Sequence, residues 1–267
     1  MKTRQEIKAH AKESVAMQRD KAILIPFLII LVAFAATYLG TLVSYRASYF
    51  GTLLYFAITC VITVLSVNIY KPFYNIYNRE AAEISEPFRD LGLNFFRKLG
   101  GTFWMVLWIT IWSLTAIIPG IIIISLRFAS AFYYGNFDNR FSIALWVMLA
   151  ILVMYIPGIV KSYSYLFATN ILAIHPEVTA TKALKLSMRI TKGHRWELFV
   201  MHLSFIGWLL LSALTLGILY IIYVGPYIYA TNAGFFTEMR DEAIAEGRIY
   251  AHELELPQGM QFPPTDF

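Results

Sequence analysis

Residues 22–44 read AILIPFLIILVAFAATYLGTLVS without a charge, and after the break Tyr45-Arg46-Ala47-Ser48 a second run, GTLLYFAITCVITVLSVNIY at 51–70, carries none before Lys71-Pro72. A helix needs about 20 mostly apolar residues to cross the hydrocarbon of a bilayer. Two runs of that length around a short polar break predict a helical hairpin in a membrane. Applied outward, the same test finds a third span from Thr102 to Ser125, a polar stretch from Arg127 to Arg140 with Gly135, Asn136, Asp138 and Asn139, and a fourth span from Phe141 to Ile174. The last block, Leu198 to Thr237, holds about 40 residues, room for two spans, with Thr215-Leu216-Gly217 as its turn. The expected fold is therefore all-α: a polytopic helical membrane protein of six transmembrane helices arranged as three hairpins. Residues 1–237 form the membrane domain. Residues 238–267 form an acidic tail, with seven acids against Arg240 and Arg248, whose Pro-rich end is expected to be disordered.

Composition agrees. Of 267 residues 58% are hydrophobic and 15% charged, and the mean hydropathy is +0.58, whereas a soluble domain carries roughly 25% charged residues. The net charge of +5 is broken up by the apolar runs, which excludes a nucleic-acid-binding surface. Cys60 is the single cysteine, so there is no disulfide framework and no thiolate metal site.

Lys and Arg set the orientation, because basic loops stay in the cytoplasm. Six precede the first span, five follow the second (Lys71, Arg79, Arg89, Arg97, Lys98), five follow the fourth (Lys182, Lys185, Arg189, Lys192, Arg195) and two lie in the tail; the opposite side holds only Arg46, Arg127 and Arg140. Both termini are expected in the cytoplasm of a multi-pass protein of the bacterial cytoplasmic membrane. Each hairpin follows a basic segment of helical periodicity. The first has Thr3 and Glu6 at capping-box spacing with Ile7, Ala11 and Val15 on one face; the second starts at Ser85 and lines up Phe88, Leu91, Phe95 and Leu99; the third sets Ala183, Leu184, Ser187, Met188 and Ile190 opposite its basic residues. Such amphipathic segments commonly lie against anionic lipid, which makes Arg97, Lys98, Lys182, Lys185, Arg189, Lys192 and Arg195 candidate contacts to lipid headgroups or a partner. Internal echoes support tandem duplication: Ile118-Pro119-Gly120-Ile121 recurs at 156–159, and Phe167-Ala168-Thr169-Asn170 recurs as Tyr229-Ala230-Thr231-Asn232.

The spans offer little chemistry. No Asp or Glu occurs at 22–70, 91–137, 139–176 or 198–237, and proton relays and cation sites at membrane depth usually need carboxylates. Zinc, nucleophile-elbow, phosphate-loop and dinucleotide motifs are absent from the sequence, so no cofactor is expected. Asn68, Asn170 and Asn232 fall near the same end of even-numbered spans and form a candidate intramembrane polar cluster; interhelical hydrogen bonding is their plainer role. Lys161, four residues after Pro157, either lines a cavity or snorkels to an interface.

Arg4-x-x-Ile7-Lys8-x-x-Ala11-Lys12, the block Gly193-His194-Arg195-Trp196-Glu197-Leu198-Phe199 with Leu203-Ser204-Phe205-Ile206-Gly207-Trp208, and Pro226-Tyr227 with Ala230-Thr231 together resemble an uncharacterised bacterial integral-membrane family, the domain of unknown function nine hundred and seventy-five. The resemblance runs up to the acidic tail and departs between about Ile121 and Trp146, where this chain has extra residues. It implies the fold and a cytoplasmic-membrane location, and no reaction. The leading expectation is a non-enzymatic, lipid-interacting or accessory (scaffold) protein whose partners are anionic membrane lipids, a protein partner or a second copy of the chain. The alternative is a transporter, facilitator or flippase for a hydrophobic or lipid-linked substrate, and the least favoured is a membrane-embedded lipid enzyme built on His175, His194 and Glu197.

Overall fold

Thr3 starts the first helix as its spacing predicts. Its Oγ1 accepts from Glu6 N at 3.3 Å while Glu6 Oε2 accepts from Thr3 N at 2.7 Å, the reciprocal capping box of α1, Arg4–Met17. The computed structural model describes residues 2–46, 48–89, 91–92, 94–115, 117–134 and 140–254. After α1 come α2 (Arg19–Arg46), α3 (Ser48–Asn68), α4 (Tyr70–Tyr77) and a single turn, α5 (Glu86–Arg89). Then follow α6 (Phe95–Thr115), α7 (Ile117–Tyr134), α8 (Arg140–Tyr165), α9 (Ala168–Ile174) and α10 (Ala180–Ile190). The chain continues through α11 (Arg195–Leu203), α12 (Ile206–Leu214), a π turn at Tyr220–Val224 and α13 (Gly225–Ala245). No strand occurs among the described residues. Four segments are long and apolar enough to cross a membrane: Arg19–Val43, Gly51–Tyr77, Phe95–Ser130 and Arg195–Leu214.

Several expected boundaries shift. Lys71-Pro72 does not end the second apolar segment, because Pro72 sits in the first turn of α4, where its missing N–H costs little, and Lys71 Nζ pairs with Glu86 at 3.0 Å. The second basic segment is not one helix: α5 stops after a turn, and Asn94 takes a left-handed φ of 56° before α6 begins. The stretch 127–134, expected as loop, is helical in α7, where the Arg127 guanidinium lies 3.9 Å over the Trp146 ring of α8; residues 135–139 lie outside those described. The fourth span, expected to reach Ile174, ends at Tyr165. Ser187 of α10 stitches that break, its Oγ donating to Ser164 O at 2.9 Å and accepting from Phe167 N at 3.2 Å. The turn at Thr215-Leu216-Gly217 is where it was expected, with φ of 52° at Leu216 and 83° at Gly217. Before Pro226, which lacks a donor, the helix widens into its π turn.

The core lies at one end of the molecule. Ile7 and Ala11 of α1, Phe73 and Ile76 of α4, Ile171 and Leu172 of α9, Leu186 and Ile190 of α10, and Phe235, Phe236 and Met239 of α13 are all buried in one cluster. Burial of a side chain such as Ile7 contributes about 2 kcal/mol. α13 is the spine, packed against α1, α4 and α10. The acidic tail begins inside α13, a helix expected to run on past Thr237, and Ile249 and Leu254 beyond it are fully buried in the same core. The expected disorder of the last residues concerns positions outside those described. The apolar ends are the opposite case. Only 7% of the Phe95–Ser130 window is buried, and Phe34, Leu53, Phe56 and Leu126 are each more than 60% exposed. Exposed in water, such side chains forgo about 1.5–3 kcal/mol each, so this end requires an apolar surrounding.

Candidate functional site

The seven basic candidates divide into residues consumed by the fold and residues left outward. Arg97 is consumed. Its Nη1 donates to Val178 O at 2.6 Å and His175 O at 3.3 Å, and its Nη2 donates to Leu172 O at 2.6 Å. A cation thus closes the orphan carbonyls at the C-terminal end of α9, where the helix dipole also favours it. Lys98 is buried and donates to Asn68 Oδ1 at 2.6 Å, and Asn68 Nδ2 donates in turn to Pro87 O at 2.7 Å.

Arg189 and a residue that sequence reading passed over, Arg248, form a reciprocal clasp. Arg189 grips Glu253 with Nη1 to Oε1 at 2.8 Å and Nη2 to Oε2 at 3.0 Å, and its Nε donates to Arg248 O at 2.6 Å. Arg248 Nη1 returns to the carbonyls of Arg189, Ile190 and Lys192 at 2.9–3.0 Å, capping α10. The two hydrogen bonds from Arg189 hold the Glu253 carboxyl below its usual range. Arg195 is half-buried, and its Nε has no partner among the described residues. That leaves Lys182, half-exposed, and Lys185 and Lys192, exposed, none of them ion-paired among the described residues. α10 buries Ala183, Leu184, Leu186, Ser187 and Ile190 against protein, so this segment does not insert its apolar face into lipid; only its basic face is turned outward.

Two of the three asparagines meet. Asn170 Nδ2 donates to Asn232 Oδ1 at 3.2 Å, joining the fourth residues of the two sequence echoes, while Asn68 is engaged by Lys98 and the Pro87 carbonyl. Asn170 and Asn232 are both buried and present no surface to a substrate. Of the three residues named for an enzyme, His194 and Glu197 meet and His175 has its own surroundings. His194 is held between Glu197 (Nδ1 to Oε2, 3.5 Å) and Glu242 (Nε2 to Oε1, 3.2 Å). His175, just after α9, is buried, and burial pushes its imidazole down to about 4, with Arg240 and Arg97 adding to the effect.

That depression has a pH consequence. An unfolded histidine takes up its proton near 6.5 and folded His175 only near 4, so the folded state gains stability as pH rises through this window and loses it as pH falls from about 6.5 to about 4. Thermal unfolding of the detergent-solubilised protein is expected to show a falling midpoint across that range, and His175→Gln should flatten the fall. An equal slope in the variant would assign the acid sensitivity elsewhere.

Three separate stretches of sequence converge on one spot. Lys8 Nζ donates to Ser204 Oγ at 2.8 Å and lies 4.3 Å over the Phe205 ring, and Phe205 packs edge-on against Tyr227 at 5.2 Å. Ile7 and Ala11, flanking Lys8, are fully buried. The molecule is thus an all-helical protein with four helices long and apolar enough to cross a membrane, closed at one end by a core in which residues near its N-terminus meet those of its last helices. The model of one family, described as "Protein of unknown function (DUF975)", matches residues 1–243, and the chain belongs to that family. No curated protein and no solved structure matches it. Lys8, Ser204 with Phe205, and Tyr227 come from the three motifs on which the family resemblance rests. The helical spacing of Ile7 and Ala11 was a readable signal for this contact; the partner of Lys8 was not.

Proposed function

We propose that the protein is a multi-pass component of the bacterial cytoplasmic membrane, with six spans in three hairpins and both termini in the cytoplasm, and that it acts without catalysis as a lipid-contacting accessory or scaffold protein. Four segments are long and apolar enough to be spans, and this reading takes α8 and the stretch from Ile218 into α13 as the other two. The basic segments gather at the packed end, and the distribution of Lys and Arg supports a cytoplasmic side for it. The observation that carries the reading is an outward basic face: Lys182 and Lys185 stand on α10, whose apolar face is locked in the core, and Lys192 on the turn just after it. A rigid, unneutralised basic face beside the membrane-spanning helices attracts anionic headgroups or an acidic partner surface.

Each lysine near an anionic surface contributes about 1 kcal/mol. The triple variant Lys182→Gln/Lys185→Gln/Lys192→Gln is therefore expected to lower the ratio of anionic to zwitterionic lipid retained by the purified protein by about tenfold or more, read by native mass spectrometry. An unchanged ratio, in a variant with the parent's thermal midpoint, removes lipid contact through α10.

A further inference from the structure

A cleft of about 550 Å³ opens between α6, α8 and α10, walled by Trp104, Trp108 and Trp112, with Lys161 on one side and Lys185 and Met188 on the other. The volume lies in the range of small-ligand pockets, about 300–1,000 Å³. The three indoles recur every fourth residue and share one face of α6; Trp104 and Trp108 meet edge-on at 6.0 Å. Tryptophans that anchor a helix at the membrane surface sit at one level, that of the headgroups. These three descend about 12 Å along the helix at 1.5 Å per residue, an apolar track leading from the interface into the hydrocarbon. Trp104 and Trp112 remain more than a third exposed.

Two cations line the same cleft. Lys161 Nζ lies 4.0 Å over the Trp112 ring, and Lys185 stands exposed on α10. Neither is ion-paired with a carboxylate among the described residues, and no acid occurs in the sequence from 139 to 176. A free inorganic anion would make no use of the indoles, and a zwitterionic lipid brings its own cation against the lysines. An amphiphile with a net negative headgroup uses both the lysines and the indoles. We propose that this cleft binds one acidic phospholipid of the cytoplasmic leaflet, its phosphate between Lys161 and Lys185 and an acyl chain along the tryptophan ladder. The site rests on the membrane orientation proposed above and names its ligand class.

The test uses the full chain with Trp146→Phe, Trp196→Phe and Trp208→Phe, so that only the cleft indoles fluoresce, reconstituted in phosphatidylcholine vesicles carrying a small fraction of brominated phosphatidylglycerol or of brominated phosphatidylcholine. Quenching by the acidic lipid is expected to be several-fold stronger and to saturate at low mole fraction. Lys161→Gln/Lys185→Gln should bring it down to the level of the zwitterionic lipid, and Lys161→Arg/Lys185→Arg should preserve it. Equal quenching by the two lipids, or a preference that survives the glutamine pair, overturns the cleft while leaving the membrane reading intact; quenching by neither lipid overturns both. Should the glutamine pair fail to reconstitute, native mass spectrometry of the unaltered protein decides: one retained acidic phospholipid per chain supports the site, and none overturns it.

Discussion

Arg240→Ala is expected to lower the unfolding free energy of the protein in detergent by about 3 kcal/mol, the lower end of the cost of removing one partner from a buried ion pair, because the Asp241 side chain is 30% exposed. Arg240 is 4% exposed, donates to Tyr74 Oη at 2.8 Å through Nη1 and pairs with Asp241 Oδ1 at 2.7 Å through Nη2. It thereby ties α13 to α4. Even beside this guanidinium, burial holds the Asp241 carboxyl above its usual range. Without it, only the more distant charge of Lys2 offsets the carboxylate's desolvation, so the deficit of the variant should shrink as pH is lowered and Asp241 becomes neutral. Arg240→Lys should recover only part of the loss, because one ammonium cannot serve the carboxylate and the phenol with the planar fork that Arg supplies. Equal midpoints for the parent and Arg240→Ala in a thermal or SDS-unfolding series would show that the pair contributes nothing net.

Gly234→Ala should also be strongly destabilising, roughly 1–3 kcal/mol and at the upper end of the cost of overpacking. A Cβ on Gly234 would fall 2.6 Å from Tyr77 Cζ and 2.8 Å from Ile7 Cγ2. Neither neighbour can withdraw: Ile7 is fully buried, and the Tyr77 ring is backed by His10 at 4.6 Å between centroids. This is the point where α1, α4 and α13 cross, and glycine is present for the close approach. Alanine at Gly100 or Gly207, where an added Cβ meets nothing within 4 Å, provides the contrast. There the usual helical gain over glycine of up to about 1 kcal/mol applies. A Gly234→Ala midpoint no lower than that of Gly207→Ala would refute the crowding.

Much of the helical layout was readable from apolar run length and from a few local signals. The Thr3–Glu6 cap, the buried stripe of Ile7 and Ala11, and the turn at Leu216-Gly217 depend on contacts within a few residues, which spacing encodes. The breaks were harder because their causes lie elsewhere in the chain. The stop after Tyr165 depends on Ser187, about twenty residues away, and Lys71-Pro72 reads as a terminator until Glu86 supplies the partner for the lysine. The candidate site shows the same division. Periodicity separates the basic face of α10 from its apolar one, yet nothing local distinguishes Lys185, which stays outward, from Arg189, whose charge is taken by Glu253. Likewise Arg97 and Lys98, adjacent in sequence and expected at the surface, turn to carbonyls of α9 and to Asn68.

The placement of the core bears on how the protein is made. α1 waits for α13: it packs chiefly against that helix, with Ile7 and Ala11 in one core with Phe236 and Met239, and Lys2 Nζ meets Glu238 at 2.8 Å. A ribosome that delivers the chain from its N-terminus will therefore have inserted every earlier span before the helix that closes the core has left the exit tunnel. During that interval the apolar face of α1 has α4 but not its main partner, and a nascent chain arrested before residue 225 should be a substrate for chaperones and membrane proteases that the finished protein escapes.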